Sequence, residues 1–262
     1  MVVNETTHVL PDDVRAVVHR LGTVVGIWAH PDDEAYLSAG LMVAAVETGN
    51  RVVCVTATRG EHGTSDPDRW PPTRLARIRE RELHASLAAV GVHEHVWLPY
   101  EDGRCADADS REAASEIGRI LDDVGADTVV TFGPDGMTGH PDHVAVGRWA
   151  ADAVAATRRQ IRLLFATKTP AWRDTHAEVH GRLPIFGPQG PPVADPRELA
   201  LALELRGEAL DRKIAALLAH ASQTTELIPM MGEAVYRAWA ADEYFVNGTR
   251  EPTSLGTDTA GS

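Results

Sequence analysis

Short apolar runs alternate along most of the chain with longer segments whose apolar residues recur at helical spacing. Continuous apolar runs bounded by turn residues are typical of buried strands, and a 3.6-residue spacing is typical of amphipathic helices. The alternation predicts an α/β fold with a Rossmann-like, doubly wound, mainly parallel sheet between helical layers. The predicted strands are Thr23–Ala29, Arg51–Ala57, His95–Pro99, Thr128–Phe132 and Ile161–Thr167, and the predicted helices are Glu34–Gly49, Thr73–Val90, Ser110–Val124 and Asp142–Thr157.

The C-terminal part of the chain has a different pattern. Pro184–Pro196 is rich in proline and glycine, which predicts an irregular excursion. Arg197–His220 then shows a helical period through its leucines, which predicts one long helix. Because 262 residues is about the upper size for one hydrophobic core, we expect a single domain over residues 1–246. Residues 247–262 are mostly small and polar and are predicted to be a disordered tail.

Composition argues against several classes of partner. The formal net charge is −13 and the sequence pI is about 5.3, whereas nucleic acid and anionic membranes require a basic face. No apolar stretch reaches the roughly 18 residues of a membrane helix, and Met1–Pro11 lacks the regions of a signal peptide. We therefore expect a cytoplasmic protein that acts on a small molecule, and its oligomeric state stays open. Cys54 lies in a predicted strand and Cys105 in a polar loop, so no disulfide is indicated.

Two clusters of histidine and carboxylate residues follow two of the predicted strands. Residues 30–34 read His-Pro-Asp-Asp-Glu after the strand at 23–29, and residues 140–143 read His-Pro-Asp-His after the strand at 128–132. Both clusters belong to the edge of the sheet where open parallel sheets bind ligands. A catalytic zinc ion usually takes three protein ligands and leaves one position for water. The candidate ligands and acid–base groups are His30, Asp32, Asp33, His140, Asp142 and His143.

The spacing within each cluster favours one shared metal site. Asp33 lies three residues after His30, and His143 three residues after His140, so each pair can face one side of a helical turn. The alternative is helix capping, because aspartate at a helix start commonly caps the first turn and complements the dipole. Two such clusters at strand ends of one sheet favour the metal. The first strand also lacks the G-x-G-x-x-G turn of a dinucleotide site.

Ala29–Glu34 and Gly139–His143 resemble the two signature motifs of the LmbE-like, or PIG-L-like, zinc de-N-acetylases. The resemblance extends over about residues 23–225 and implies one deacetylase domain with Zn²⁺ as its cofactor. Other stretches that resemble elements of the family are Thr58–Gly63, Arg79–Leu83, Glu101–Gly103 and His220–Gln223.

The resemblance implies separate roles for metal ligands and base. His30, Asp33 and His143 are the expected zinc ligands, and Asp32 is the expected general base that takes a proton from the metal-bound water. Zinc lowers the pKa of bound water toward about 7. A carboxylate beside the metal and a helix N-terminus stays ionised, because both favour its anion, so Asp32 suits the role of base.

Further roles follow from the same resemblance. His140 is expected to stabilise the oxyanion and to donate a proton to the leaving amine, while Asp142 orients it and stabilises its protonated form. Arg79 and Asp102 match positions that hold the sugar. Members that act on the mycothiol precursor have a tyrosine just before the second motif, where this chain has Gly136–Gly139. This difference weakens any transfer of that substrate to this chain.

The function that these expectations favour is a zinc hydrolase that removes an acetyl group from an N-acetylglucosaminyl conjugate, with metal-bound hydroxide attacking the amide. An amidase acting on a bulkier amide of an amino sugar, such as a thiol conjugate, is an open alternative. A non-haem Fe(II) oxygenase is a more remote one, because two histidines and one carboxylate also form its metal site. A binding module is disfavoured because all six site residues are present. Trp70 and Trp172 lie in loop-like stretches and are candidates for stacking on a sugar.

Overall fold

The structure, a computed structural model, describes residues 11–183, 185–187 and 190–248. A single mixed sheet forms its centre. Within these residues the strands are β1 (Val24–Trp28), β2 (Val52–Thr56), β3 (Glu94–Trp97), β4 (Thr128–Phe132), β5 (Arg162–Thr167), β6 (Leu199–Glu204) and β7 (Asp242–Asn247). Their spatial order is β3-β2-β1-β4-β5-β7-β6. The pairs from β3 to β5 are parallel, whereas β7 is antiparallel to both β5 and β6. The predicted doubly wound, mainly parallel sheet is confirmed.

Helices cover the sheet in two groups. The helices of the described residues are α1 (Asp12–His19), α2 (Asp33–Glu47), α3 (Pro72–Val90), α4 (Ser110–Val124), α5 (Gly136–Gly139), α6 (Pro141–Ala156), α7 (Pro170–Thr175), α8 (Ala177–Arg182), α9 (Gly207–Ala219), α10 (Ala221–Met231) and α11 (Glu233–Ala240). α2, α3 and α9 pack together, and α4 packs against α6. The chain moves from β1 to β3 in one direction and from β4 to β5 in the other, so right-handed crossovers place these groups on opposite faces.

The order in which strands are added to the sheet reverses between β1 and β4, which are parallel neighbours. Their register pairs Val24 with Thr128 and Gly26 with Val130, so the two strands end side by side. Their last residues, Trp28 and Phe132, are fully buried, and their rings meet edge to face with centroids 5.1 Å apart. Because the first cluster follows β1 and the second follows β4, both clusters lie at this switch point, where open α/β sheets bind ligands.

The prediction of one long helix over Arg197–His220 is wrong. The segment begins with the strand β6, and the helix α9 starts only at Gly207. Leu201 and Leu203 are buried while Ala202 and Glu204 are exposed, which is the two-residue period of a strand. Leucines at 201 and 205 fit both periods, and pairing of β6 with β7 decided between them. The strand β7 was not predicted either.

The last strand extends into the segment predicted to be a disordered tail. Asn247 belongs to β7, and the amide of Gly248 donates to the carbonyl of Leu163 at 2.8 Å. The remainder of the predicted tail, residues 249–262, lies outside the described residues. Cys54 and Cys105 are buried free thiols. Among the described residues, no helix combines the length and the apolar character needed to cross a bilayer.

Candidate metal and active site

The expected ligands converge at the carboxyl ends of β1 and β4. His30 Nδ1 lies 3.1 Å from His143 Nε2. Asp33 Oδ1 lies 3.3 Å from His143 Nε2, and Asp33 Oδ2 lies 3.6 Å from His30 Nδ1. All three residues are buried. Ligand atoms bound at about 2.0–2.2 Å in a tetrahedron lie roughly 3.3 Å from one another. The two imidazole nitrogens are therefore spaced as zinc ligands are, and the Asp33 carboxylate lies beside both with a different oxygen toward each. His30, His140 and His143 also bring nitrogen atoms close enough together to hold a metal ion.

The outer nitrogen of each imidazole has a partner of its own. His143 Nδ1 lies 3.0 Å from the carbonyl of Gly136 and 3.1 Å from Thr138 Oγ1. His30 Nε2 lies 3.0 Å from Asp102 Oδ1 and 3.2 Å from Asp142 Oδ2. Such contacts fix the tautomer and the ring orientation of a metal-binding histidine. They leave His30 Nδ1 and His143 Nε2 to face the candidate metal position.

The charges around these residues favour a cation. Burial lowers the pKa of His30, but hydrogen bonds to Asp102 and Asp142 and the charge of Asp33 raise it further, to about 10. Burial and the charge of His30 lower the pKa of His143 to about 4, so that imidazole is neutral, as a metal ligand must be. The carboxylates of Asp33, Asp102 and Asp142 thus stabilise a positive charge on His30. The same negative potential would stabilise a divalent cation bound beside it.

Asp32 is held in a conformation that is unusual for a residue other than glycine. Its φ of 114° lies in the left-handed region, directly before α2 begins. Its amide donates to Glu34 Oε2 at 2.9 Å, and Arg79 Nη2 lies 3.3 Å from its carboxylate. Burial raises its pKa to about 6, although the charge of Arg79 opposes that shift. A carboxylate with this pKa is suited to accept a proton near neutral pH.

Arg79 is a buried clamp that joins three segments. Its guanidinium donates to the carbonyl of Gly60 at 2.9 Å and to the carbonyl of Pro31, and it contacts Asp32. A Cβ atom on Gly60 would lie 2.2 Å from Arg79 Nη1, and φ of Gly60 is +62°, so the clamp requires glycine there. Arg79 also lines the cavity above the site. Its contact with a sugar stays a prediction, and its contact with Asp32 was not foreseen.

Glu34, which accepts the amide of Asp32, also forms a buried ion pair with His220. His220 Nε2 lies 2.8 Å from Glu34 Oε1, and neither side chain is exposed. Ser86 Oγ donates to the same oxygen at 3.0 Å. Burial lowers the pKa of His220 and raises that of Glu34, but their attraction outweighs burial, so the net shift is upward for His220 and downward for Glu34. The sequence contained both residues within motifs but gave no sign that they would meet.

The expected pairing of the Asp142 carboxylate with His140 is not observed. That carboxylate accepts the amides of Gly103 at 2.7 Å and Cys105 at 3.1 Å, and it contacts His30. The amide of Asp142 instead donates to His140 Nδ1 at 3.2 Å, so His140 caps the start of α6. The buried carboxylate faces the loop because the amides of Gly103 and Cys105 need a hydrogen-bond acceptor there.

His140 consequently differs from the expected imidazolium. Burial and the charges of His30 and His143 lower its pKa, even though Asp142 opposes the shift. Because Nδ1 accepts a backbone amide, the proton of the neutral ring lies on Nε2. His140 is exposed and its ring centroid lies 4.9 Å from that of His30 and 5.1 Å from that of His143. The ring is therefore a neutral hydrogen-bond donor at the mouth of the site.

Asp102 contacts His30 and also lines the cavity. Its Oδ1 contacts His30 Nε2, and its Oδ2 accepts the amide of His62 at 2.8 Å. Burial raises its pKa, but its hydrogen bond to His30 and the charge of that residue lower it further, so the net pKa is low. The carboxylate is thus ionised and already shared between two partners. Its predicted contact with a sugar stays a prediction.

A cavity of about 450 Å³ opens above these residues and brings in side chains that the sequence did not indicate. Tyr36 and Leu37 lie one turn after Asp33 on α2, a spacing that could have identified them. No sequence signal indicated the others, which come from distant segments. The apolar members of the lining are Tyr36, Leu37, Met137, Ile185, Phe186, Leu227, Trp239 and Ala240.

Neither tryptophan considered for sugar stacking lines this cavity. Trp172 is buried and packs against Trp239 and Phe186, so its ring belongs to the layer behind the wall. Trp70 instead contacts Arg69 and Arg74, whose guanidinium carbons each lie 5.3 Å from the centre of its ring. Local loop character did not reveal which aromatic residues border the cavity.

Comparisons with known proteins identify the same part of the chain. Residues 25–154 match the PIG-L family model, described as GlcNAc-PI de-N-acetylase. A relative from Acidothermus cellulolyticus is named 1D-myo-inositol 2-acetamido-2-deoxy-alpha-D-glucopyranoside deacetylase. It is 32% identical over 269 residues, which cover 88% of this chain and 91% of the relative.

Two solved structures are similar in fold. N,N'-diacetylchitobiose deacetylase from Pyrococcus horikoshii, solved with an inhibitor, has a TM-score of 0.62 and 21% identity, covering 90% of this chain and 87% of that one. The zinc inhibited form of teicoplanin deacetylase Orf2 has a TM-score of 0.62 and 17% identity, covering 86% of this chain and 98% of that one. Both likenesses concern the fold, because the identities are low.

Proposed function

The chain belongs to the PIG-L family, and from that premise we propose that it is a zinc-dependent amide hydrolase that removes the acetyl group from an N-acetylglucosaminyl conjugate. The observation that carries the proposal is the triangle of His30, Asp33 and His143 with the carboxylate of Asp32 beside it. The relative from Acidothermus cellulolyticus is named as a deacetylase of an acetamido sugar, which supports both the reaction and the class of substrate.

The three converging side chains would hold the metal. His30 through Nδ1, His143 through Nε2 and Asp33 through its carboxylate supply three ligands, which leaves a fourth position for water or substrate. A zinc ion bound there would polarise the amide carbonyl and lower the pKa of a coordinated water toward about 7.

Asp32 and His140 divide the proton chemistry of the amide. The Asp32 carboxylate accepts a proton from the attacking water, because burial keeps its pKa close to neutral and Arg79 keeps it in place. His140 donates from Nε2–H to the developing oxyanion, because its Nδ1 already accepts the amide of Asp142. Protonated Asp32 can then deliver its proton to the departing amine nitrogen, which leaves as a neutral amine.

Family membership weighs against the two alternatives of other classes. An Fe(II) oxygenase can share the two-histidine, one-carboxylate ligand set, but it has no use for a buried Asp32 or for a hydrogen-bond donor at His140. A binding module has no use for a carboxylate with a raised pKa beside three converging ligands. An amidase for a bulkier amino-sugar amide uses the same machinery and differs only in the acyl group.

The test is deacetylation by the zinc-loaded protein. N-acetylglucosamine glycosides are incubated with the wild type and with Asp32→Asn, and free amine and acetate are measured together with bound zinc. We expect acetate and amine in equal amounts from the wild type, and little of either from Asp32→Asn with zinc still bound. If the wild type released no acetate from any N-acetylglucosaminide while it hydrolysed simple acyclic acetamides, the amino-sugar proposal would be wrong.

A further inference from the structure

The residues that line the cavity above the site fall into two chemical groups, called here the polar wall and the apolar wall. One wall holds the histidines and carboxylates described above, together with Arg79, Thr138 and Gln223. The other consists of aliphatic and aromatic side chains from several segments, among them Leu37 on α2 and Leu227 on α10. A deacetylation site for a purely polar sugar has no evident need of the second wall.

The polar atoms of the apolar wall have partners inside the protein. Trp239 Nε1 donates to His180 Nε2 at 3.2 Å, and the hydroxyl of Tyr36 accepts that of Tyr236 at 3.1 Å. Leu37, Leu227 and the other aliphatic members carry no polar side-chain atom. The wall therefore presents mainly carbon surface to the interior of the cavity.

Lys168 lines the cavity as well, but its ammonium group is engaged elsewhere. Nζ donates to the carbonyl of Asp242 at 3.0 Å and lies 4.3 Å from the centre of the Trp172 ring. The side chain is buried, so its methylene stem adds to the apolar surface while the charge is turned toward protein groups. An anionic substituent is thus not required to explain this lysine.

We propose that this wall is a subsite for an apolar or aromatic aglycone on the amino sugar, an inference that rests on the function proposed above. The wall is continuous with the catalytic cluster in one cavity of about 450 Å³, a size within the range of about 300–1,000 Å³ typical of small-molecule sites. An acetyl methyl group is too small to need a wall built from α2, α10 and α11. A polyol aglycone would place hydroxyl groups against carbon, where each loses hydrogen bonds to water without replacement.

The first arm of the test measures kcat/KM of the zinc-loaded wild type for phenyl, octyl, methyl and inositol glycosides of N-acetylglucosamine. Phenyl and octyl glycosides should exceed the methyl and inositol glycosides by about tenfold or more, because they bury apolar surface in the wall. Equal values for all four glycosides, or a preference for inositol, would overturn the subsite and leave the deacetylase function standing. A series with lengthened acyl chains on the methyl glycoside should show no gain, and a gain there would assign the wall to the acyl group instead.

A matched pair of leucine variants locates the effect. Leu227→Asn puts an amide into the wall, while Leu218→Asn makes the same change at a leucine that is 51% exposed on α9 and does not line the cavity. Leu227→Asn should reduce the ratio of phenyl to methyl activity about tenfold, and Leu218→Asn should leave the ratio unchanged. Equal effects of the two variants would contradict the placement.

The second arm does not depend on turnover. Calorimetric titration with phenyl glucosaminide and methyl glucosaminide, both already deacetylated, measures binding of the aglycone alone. The phenyl compound should bind more tightly to the wild type, and Leu227→Asn should remove the difference. Equal affinity of the wild type for the phenyl and methyl compounds would overturn the subsite. If the wild type bound the phenyl compound more tightly but hydrolysed none of the N-acetylglucosamine glycosides, the proposed reaction would be wrong and the subsite would stand.

Discussion

Lys213 Nζ lies 2.6 Å from Glu243 Oε1, and both side chains are fully buried. The Glu243 carboxylate also accepts the amides of Gly40 at 2.7 Å and Leu41 at 2.8 Å, and Lys213 donates to the carbonyl of Tyr36 at 2.9 Å. The ion pair therefore joins β7 and α9 to the middle of α2, the helix that follows the first cluster. It couples the late part of the chain to the helix that carries part of the site.

Removing one partner of this pair should destabilise the fold. Lys213→Met leaves the Glu243 carboxylate buried without its counter-charge, which typically costs about 3–5 kcal/mol in the free energy of unfolding. Arg148→Met is the control, because Arg148 forms an exposed pair with Asp152 and such pairs contribute about 0–1 kcal/mol. Urea unfolding of the three proteins measures the difference. A cost for Lys213→Met no larger than that of the control would contradict the structural role.

Variants of the proposed ligands and of the proposed base should differ in bound metal. His30→Ala or His143→Ala removes one of three ligands, so zinc content should fall after dialysis against buffer without metal. Asp32→Asn keeps all three ligands and loses the proton acceptor, so zinc content should stay at the wild-type level while turnover falls about 10²–10⁴-fold. Elemental analysis and the rate of acetate release check both expectations. Full zinc occupancy in both histidine variants would show that the ligand assignment is wrong.

Arg79 can act on the sugar or on Asp32, and the two roles have different kinetic consequences. Because its guanidinium contacts Asp32 and two backbone carbonyls, we expect Arg79→Ala to lower kcat for N-acetylglucosaminides and for small acyclic acetamides alike. Gly60→Ala should act in the same direction, because its Cβ would displace the guanidinium. A defect limited to N-acetylglucosaminides, seen mainly in KM, would instead support the sugar-holding role.

The buried pair beneath Asp32 should be needed for turnover more than for metal binding. His220→Leu leaves Glu34 without its charged partner, so the carboxylate that receives the Asp32 amide loses its anchor. We expect lower kcat with unchanged zinc content, together with a loss of stability of about 3–5 kcal/mol. Thr225→Leu, an exposed change in the neighbouring helix, is the control. Zinc loss in parallel with kcat would mean that the pair supports the ligands instead.

Lys168 should make stability depend on pH above neutrality. Burial and the charge of Lys213 lower its pKa to about 7, although Glu243 and Asp242 oppose the shift. The unfolded lysine has a pKa near 10.4, so between these values the unfolded chain binds a proton that the folded chain has released, and stability rises with pH. From pH 7 to pH 9 the wild type should gain on the order of 2 kcal/mol relative to Lys168→Met. Urea unfolding at both pH values measures this gain, and parallel curves would contradict it.

Local sequence was sufficient to locate the core of the site. The apolar runs before His30 and His140 identified β1 and β4 because a strand buried on both faces leaves a continuous apolar run. The strand-then-helix order predicted the parallel sheet, and parallel strands necessarily bring their carboxyl ends to one edge. The convergence of residues 30–34 with residues 140–143 followed from these local features.

Only the tertiary structure decided which partners the site residues have. Glu34 meets His220 across 186 positions, and Asp142 meets His30 across 112. Neither choice has a local signal, because Asp142 could equally have faced His140, two positions away. The strand β6 is a similar case, since leucines spaced four apart fit a helix or a strand until a neighbouring strand supplies hydrogen bonds. The sequence by itself determined which histidines and carboxylates meet at the candidate metal site, whereas packing over long separations determined the orientation of Asp32 and His140 and the apolar wall beside them.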